Sequence, residues 1–195
     1  MRRFGGADGN ARLTGTLGVV LIGLLAVEGV TILFIRPLIS MHVFVGLLLV
    51  PPVALKLAST GWRFVRYYTR SPEYVTKGPP QFLLRVLVAP LVVASTLVVF
   101  GTGIAMLVVH PRAGQLVGLH KAAFVVWFVS TGVHVLAYLP RLPQLVFGDW
   151  RPSLRLPAAR LRLGLVATSV VTGAVFAAAT LADADDWIRW ASHRH

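Results

Sequence analysis

Five apolar stretches dominate this sequence, and each is long enough to cross a lipid bilayer as a helix. A spanning helix needs about 20 predominantly apolar residues. Segments that contain arginine and proline separate the stretches. The sequence therefore predicts an all-α fold, an integral membrane helical bundle of five transmembrane helices that forms a single membrane domain over residues 1–195. The predicted spans are about 13–35, 38–57, 86–109, 117–139 and 163–182.

The composition excludes a soluble globular domain, a disordered chain and a disulfide scaffold. Apolar residues make up 56% of the chain and charged residues only 13%, whereas soluble domains average about 45–50% and about 25%. The chain contains no cysteine, which excludes disulfides, iron–sulfur clusters, thiolate metal sites and a cysteine nucleophile. The first apolar stretch is too long for a signal peptide and lacks an A-x-A cleavage pattern, so we expect it to be retained as a helix.

The basic residues predict the direction in which the helices cross the membrane. The formal net charge is +12, and most arginines and lysines lie before the first span, after the second and after the fourth. Because short cytoplasmic loops carry an excess of such residues, we expect the N-terminus inside and the C-terminus outside. The expected location is the cytoplasmic (inner) membrane of a bacterium, crossed several times. Membrane lipid accounts for the positive charge without a nucleic-acid partner.

Two of the six histidines lie where neighbouring helices can bring them together. His42 is at the outer start of the second span and His120 at the outer start of the fourth, and these spans run in the same direction. The two imidazoles can therefore face each other at one depth, as the two axial ligands of a haem iron require. His110 ends the third span just before Pro111, and we expect it to be an interfacial residue.

A second pair of residues lies 14 positions further along the same two helices. Fourteen residues return to within about 40° of the same helix face after a rise of ~21 Å. This step leads from His120 to His134 and from His42 to Lys56. The inner leaflet would then have one histidine and one lysine instead of two histidines, so the sequence is compatible with one haem or with two.

Small and aromatic residues occupy the same helix faces. Gly46 lies one turn beyond His42, where a missing side chain would let a flat macrocycle approach. Trp127 lies midway between His120 and His134 on the face that they share. Glycine and aromatic residues also serve as ordinary packing residues in membrane helices. Gly46 and Trp127 are therefore candidates for cofactor contact only in combination with the histidines.

Three fragments carry a resemblance to a known group of proteins. They are Met41–Gly46 (MHVFVG), Leu119–Phe124 (LHKAAF) and Thr131–His134 (TGVH). Together with two histidines 14 residues apart on one helix, they look like bacterial membrane b-type cytochromes of the cytochrome b561-like and cytochrome b/b6-like group. The resemblance covers roughly residues 38–140 and implies non-covalent haem b held by paired histidines, with electron transfer as the activity.

The same resemblance implies individual roles for four residues. His42 and His120 match the outer pair of haem ligands, and His134 matches one inner ligand. Lys56 departs from the pattern at the position of the second inner histidine. The expected function is therefore haem b electron transfer between a quinone pool and an extracytoplasmic redox partner protein. Such a chain would be a cytochrome b subunit of a membrane oxidoreductase rather than a complete enzyme.

Other functions fit parts of the same pattern. Glu28 is an ionisable residue inside the first span, and such residues are often functional. It could accept a proton near a quinone or satisfy a polar partner such as Arg36. A small ion or proton transporter or channel would use Glu28, Lys56 and His134. A bare metal site would need His42, His110 and His120 with a further ligand. In a non-catalytic membrane assembly subunit, the histidines would have no chemical role.

Overall fold

The computed structural model describes residues 5–78, 82–109, 114–141, 143, 149 and 156–192, and these parts contain helices and turns but no strand. Five of the described helices are long and apolar enough to cross a membrane. This confirms the predicted all-α fold of five transmembrane helices, and the chain is a multi-pass membrane protein. Many large apolar side chains are exposed on these helices, which suits contact with lipid.

In the described parts of the chain, seven α-helices have defined bounds, and a π-helical turn at Leu84–Val88 leads into the fourth. They are α1 (Gly6–Leu33), α2 (Ile39–Tyr68), α3 (Pro72–Val75), α4 (Ala89–Val108), α5 (Gly114–Tyr138), α6 (Ala159–Thr180) and α7 (Asp185–Ser192). We call the end of the bundle with the turn between α1 and α2 the upper end. The end at which α1 begins is the lower end.

The first two helices are longer than the apolar spans predicted for them. α1 begins at Gly6 rather than near residue 13, and α2 continues to Tyr68 rather than ending near residue 57. An apolar span measures only the part of a helix that lies in hydrocarbon. The helical hydrogen bonds of α2 continue through Arg63 and Arg66, so its lower third carries basic and aromatic residues suited to the membrane surface.

Two consecutive prolines, Pro51 and Pro52, lie inside α2. Each lacks the N–H that would bond the carbonyl four residues earlier, so the carbonyl of Leu48 has no helical partner at Pro52. Gly173 of α6 lies against this carbonyl, and a Cβ atom built on Gly173 would be only 2.2 Å from Leu48 O. The absence of a side chain at Gly173 therefore lets the two backbones meet there.

The long helices form two groups. α2 packs along α1 on one side and along α6 on the other, whereas α4 packs chiefly against α5. Buried apolar side chains fill the first group, with Leu21 of α1 against Val45 and Leu49 of α2, and Ala177 of α6 against other leucines of α2. α2 and α5 do not pack along their length. Their facing side chains therefore meet across a gap between the two groups.

A buried carboxylate fastens the lower end of the first group. Asp149 is 1% exposed and accepts hydrogen bonds from Arg12 of α1 at 2.8 Å and from Arg162 of α6 at 2.6 Å. Burial alone would raise the pKa of Asp149. The hydrogen bonds and positive charges of Arg162 and Arg12 outweigh burial and hold that pKa below its ordinary value. Asp149 is therefore ionised and ties α1 to α6.

Candidate functional site

Two histidine rings meet between the two groups of helices at the upper end. His42 is in the first turn of α2, and His120 is in the second turn of α5. Their ring centres are 6.4 Å apart, and the ring planes are nearly perpendicular, at 85°. The structure thus brings the two histidines of the predicted outer pair together across the gap between α2 and α5.

Hydrogen bonds determine which nitrogen of His42 carries the proton. The Nδ1 atom of His42 lies 2.8 Å from Glu28 Oε1 and 3.2 Å from Thr31 Oγ1. The Thr31 hydroxyl directs its single proton at Glu28, where the backbone carbonyl at 2.7 Å and the carboxylate Oε2 at 3.1 Å share it. Its oxygen is then left to accept a hydrogen bond. Both neighbours of Nδ1 are therefore acceptors, which makes Nδ1 the protonated nitrogen and leaves a lone pair on Nε2.

The same reasoning applies to His120. Its Nδ1 atom lies 2.9 Å from Thr102 Oγ1. The Thr102 hydroxyl donates to the carbonyl of Val98, at 2.6 Å, so its oxygen accepts from Nδ1–H. A Cβ atom on Gly103 would come within 3.5 Å of the His120 ring, so this glycine lets the ring lie close to α4. His120 therefore also has its lone pair on Nε2.

The separation of the two rings suits a pair of axial ligands. Two metal–imidazole bonds of about 2.0–2.1 Å in line, with each ring centre about 1.2 Å beyond its nitrogen, correspond to ring centres about 6.4–6.6 Å apart. The observed distance is 6.4 Å. In a metal-binding histidine the second nitrogen usually donates to a carboxylate or another oxygen, as both Nδ1 atoms do here. The residues present therefore fit a haem iron held by His42 and His120.

A bare metal ion has less support. Within the described residues, no group of three or more His, Cys, Asp or Glu side chains could hold a metal ion. A haem iron needs only two protein ligands, because the porphyrin supplies the other four. His110, the third member of the proposed outer metal site, lies outside the described residues.

Gly46 lies next to the same site. A Cβ atom at this position would come 3.7 Å from Glu28 Oε1, an ordinary contact distance. The neighbour of Gly46 on this side is the carboxylate of Glu28. The predicted approach of a macrocycle at Gly46 remains a prediction, and the structure adds that this space borders the carboxylate that bonds His42.

The sequence did not indicate that Glu28, Thr31 and Thr102 would hold the two histidines. On the sequence alone, Glu28 is a candidate for a transport path, for a proton acceptor near a quinone or for a partner of Arg36. One signal was available, because Glu28 lies five residues before the end of α1 and His42 three residues after the start of α2. At 1.5 Å per residue, both must lie at similar depth on either side of a short turn.

The second predicted pair occupies a lower level of the bundle. Lys56 donates a hydrogen bond from Nζ to the carbonyl of Thr14, at 2.9 Å. The Nδ1 atom of His134 is buried and has no hydrogen-bond partner within the described structure. Its ring lies 4.9 Å from that of Tyr138. The amine of Lys56 is already engaged by its hydrogen bond to α1.

Trp127 lies apart from the two pairs, and the three residues of the transport hypothesis are divided between the two levels. Trp127 donates from its indole nitrogen to Thr96 Oγ1 at 3.0 Å, which ties α5 to α4. Glu28 lies with His42 at the upper level. Lys56 and His134 lie about four turns further along α2 and α5, at the lower level. The three residues of the transport hypothesis therefore belong to two separate clusters.

A cavity of about 570 Å³ opens at the lower end, far from the paired histidines. Its walls come from α1, α2, α3 and α6 and include Leu13, Trp62 and Leu165. Neither His42 nor His120 lines it. The site with metal-ligating chemistry and this cavity are therefore separate features of the molecule.

Comparisons with protein-family models, with curated proteins and with solved structures gave no match to this chain.

Proposed function

We propose that this chain is a membrane electron-transfer protein that binds haem b through His42 and His120. The observation that carries the proposal is the arrangement of these two imidazoles. Their ring centres are 6.4 Å apart, and both Nδ1 atoms donate to oxygen atoms of neighbouring helices or turns. Each ring thus retains one lone pair for iron, at a separation suited to two axial ligands.

The residues around the site perform three tasks. His42 and His120 bind, Glu28 and Thr102 orient the two rings, and the apolar surface of the helices keeps water away. Bound haem would supply a one-electron iron couple at this position. If both His42 and His120 held the iron, the site would favour simple electron transfer over oxygen chemistry.

The proposed partners follow from the position of the site. Membrane lipid surrounds the helices, and a quinone is the membrane-soluble electron carrier that such a site would meet. A site near the upper end, outside under the proposed topology, would exchange electrons with an extracytoplasmic redox partner protein. The proposed location is the bacterial inner membrane, and the chain would serve as a subunit rather than a complete enzyme.

We propose one haem per chain. Lys56 would have to lose both its proton and its hydrogen bond to the Thr14 carbonyl before it could bind iron. His134 would then be the only imidazole of a second site. The hydrogen-bonding pattern that holds both rings of the upper site does not recur at the lower level, where His134 Nδ1 has no partner among the described residues.

The first experiment is an absorption measurement. The full chain is produced with ample haem and purified in detergent, and the reduced-minus-oxidised spectrum is recorded together with a pyridine haemochrome assay. We expect a sharp reduced α-band and about one haem per chain. A colourless protein would refute the proposal, and a ratio near two would refute the single site.

Histidine substitutions then test the ligands. We expect His42→Ala and His120→Ala to lose most of the haem, since each removes one of only two protein ligands. His134→Ala is the matched control on α5 and should retain it. Equal loss of haem in all three variants would point to general unfolding, which a thermal unfolding curve of each haem-free variant would reveal. Retention of haem in His42→Ala and His120→Ala would contradict the assignment.

The transport hypothesis has weaker support. It needs Glu28, Lys56 and His134 along one path, and Glu28 is bonded to His42 at a different level from the other two. A colourless protein that moves protons across liposome membranes would favour it over electron transfer.

A further inference from the structure

We infer that Glu28 is a positioning residue that fixes His42 in its iron-binding form and makes the two halves of the site electronically unequal. The inference that the two ligands are electronically unequal rests on the proposed function, because it concerns bound iron. The fixed form of His42 does not, since it follows from hydrogen bonds within the chain. Glu28 lies on α1, outside the segment that resembles b-type cytochromes.

Glu28 is held in place on both sides of its carboxylate. The residue is 9% exposed. One oxygen lies 2.8 Å from His42 Nδ1, and the other lies 3.1 Å from the Thr31 hydroxyl. Gly46 on α2 leaves space beside the first oxygen. The carboxylate therefore has a defined position between α1 and α2, rather than a choice of surface conformations.

A carboxylate at this distance allows only one neutral tautomer of His42. If the proton were on Nε2, the lone pair of Nδ1 would face a negative oxygen at 2.8 Å. With the proton on Nδ1, the same contact becomes a charge-assisted hydrogen bond, which is stronger than a neutral one. Glu28 thus leaves Nε2 of His42 unprotonated and ready to bind before any iron arrives.

The His120 side has a different acceptor. Its Nδ1–H donates to the hydroxyl of Thr102, which is neutral. A carboxylate acceptor raises the basicity of the imidazole that donates to it more than a hydroxyl does. His42 should therefore be the stronger electron donor of the two ligands. A stronger donor stabilises ferric over ferrous iron, so Glu28 lowers the reduction potential.

The tautomer is tested on the haem-free full-length chain. Histidine residues are labelled with ¹⁵N, and the His42 signals are assigned by comparison with the His42→Ala variant. We expect wild-type His42 to have a protonated Nδ1 and an unprotonated Nε2. In Glu28→Gln, whose amide can accept or donate, both tautomers should appear. A protonated Nε2 in the wild type, or an unchanged spectrum in Glu28→Gln, would overturn the inference.

The electronic effect is tested on the haem-loaded chain by redox titration. We expect a higher reduction potential in Glu28→Gln than in the wild type, with the α-band retained. Thr102→Val is the matched substitution on the other ligand and should change the potential less. An unchanged potential in Glu28→Gln, or an equal change in Thr102→Val, would contradict the unequal halves.

A charge-retaining variant covers the case in which Glu28→Gln fails to hold haem. Glu28→Asp keeps the carboxylate, and recovery of haem and of a low potential in this variant would support the role of the charge. Equal loss in Glu28→Asp would overturn it. Failure of the proposed function can be distinguished from failure of this inference. A colourless wild type would refute haem binding, whereas the ¹⁵N spectrum of the haem-free chain tests the His42 tautomer independently.

Discussion

A threonine hydroxyl lies beside Nδ1 of each of the two histidines, and at His42 the Glu28 carboxylate lies there as well. In helices, threonine hydroxyls commonly donate back to a carbonyl three or four residues earlier. Thr31 does so to Glu28 and Thr102 to Val98. A hydroxyl whose proton is committed in this way can only accept, so it acts as an acceptor of fixed polarity. A hydrogen bond that is common within helices thus helps to orient an imidazole.

The space beside Glu28 can be tested at Gly46. We expect Gly46→Ala to retain haem, because the added Cβ would lie 3.7 Å from the Glu28 carboxylate. Gly46→Leu should lose haem, because the larger side chain would displace that carboxylate from His42. The measurement is haem per chain, with a thermal unfolding curve of each haem-free variant to confirm folding. Full haem content in a folded Gly46→Leu would mean that the space is not required.

At the scale of the helices, the sequence predicts the number of spans and the level of a residue along its helix better than the rotation of each helix about its axis. Apolar length identifies the five spans, and the shared 14-residue step places His42 with His120 and Lys56 with His134. The rotation of α1 and α4 about their axes decides whether Glu28 and Thr102 reach these rings. Both helices are apolar on nearly all sides, since lipid and protein neighbours are equally apolar. Their pattern therefore does not reveal which face turns inward.

The contact between α2 and α6 yields a prediction for one glycine. We expect Gly173→Ala to lower the free energy of unfolding by about 2 kcal/mol, the usual cost of overpacking. The new Cβ would be 2.2 Å from the Leu48 carbonyl, and a backbone atom cannot easily move away.

Gly164→Ala is the matched control for Gly173→Ala. Gly164 lies on the same helix and has no neighbour within 4 Å of its Cβ position. Alanine should therefore be neutral or slightly stabilising at this position, because it favours helix more than glycine does. Unfolding of both variants in a mixed-detergent titration provides the comparison. Equal stability of the two would show that the α2–α6 contact can relax.

At the scale of the whole molecule, the candidate site at the upper end depends on polar contacts at the lower end. The paired histidines lie between two groups of helices that pack little on each other, so the site depends on how firmly each group is held. His42 belongs to the group formed by α1, α2 and α6. In this group, hydrogen bonds of Thr14 on α1 with Lys56 and Ser59 on α2 join the two helices near the lower end. Asp149 joins α1 to α6. The polar contacts at one end thus secure the helix that presents His42 at the other.

The buried Asp149 yields a prediction about pH. We expect Asp149→Asn to destabilise the chain by about 3 kcal/mol near neutral pH, the lower end for breaking a buried ion pair. Arg12 and Arg162 keep other partners, which limits the loss. Because the folded pKa of Asp149 is lower than its ordinary value of 3.8, its contribution is complete above that value. It is lost as the pH falls through the folded pKa.

Thermal unfolding in detergent between pH 6 and pH 3 measures this contribution. The wild type should lose its advantage over Asp149→Asn only in the most acidic part of that range. Asp183→Asn, at an exposed position near the other end of the bundle, should follow the wild type throughout. A constant difference between wild type and Asp149→Asn at every pH would mean that the side chain acts through its shape. In that case its charge would not be what ties α1 to α6.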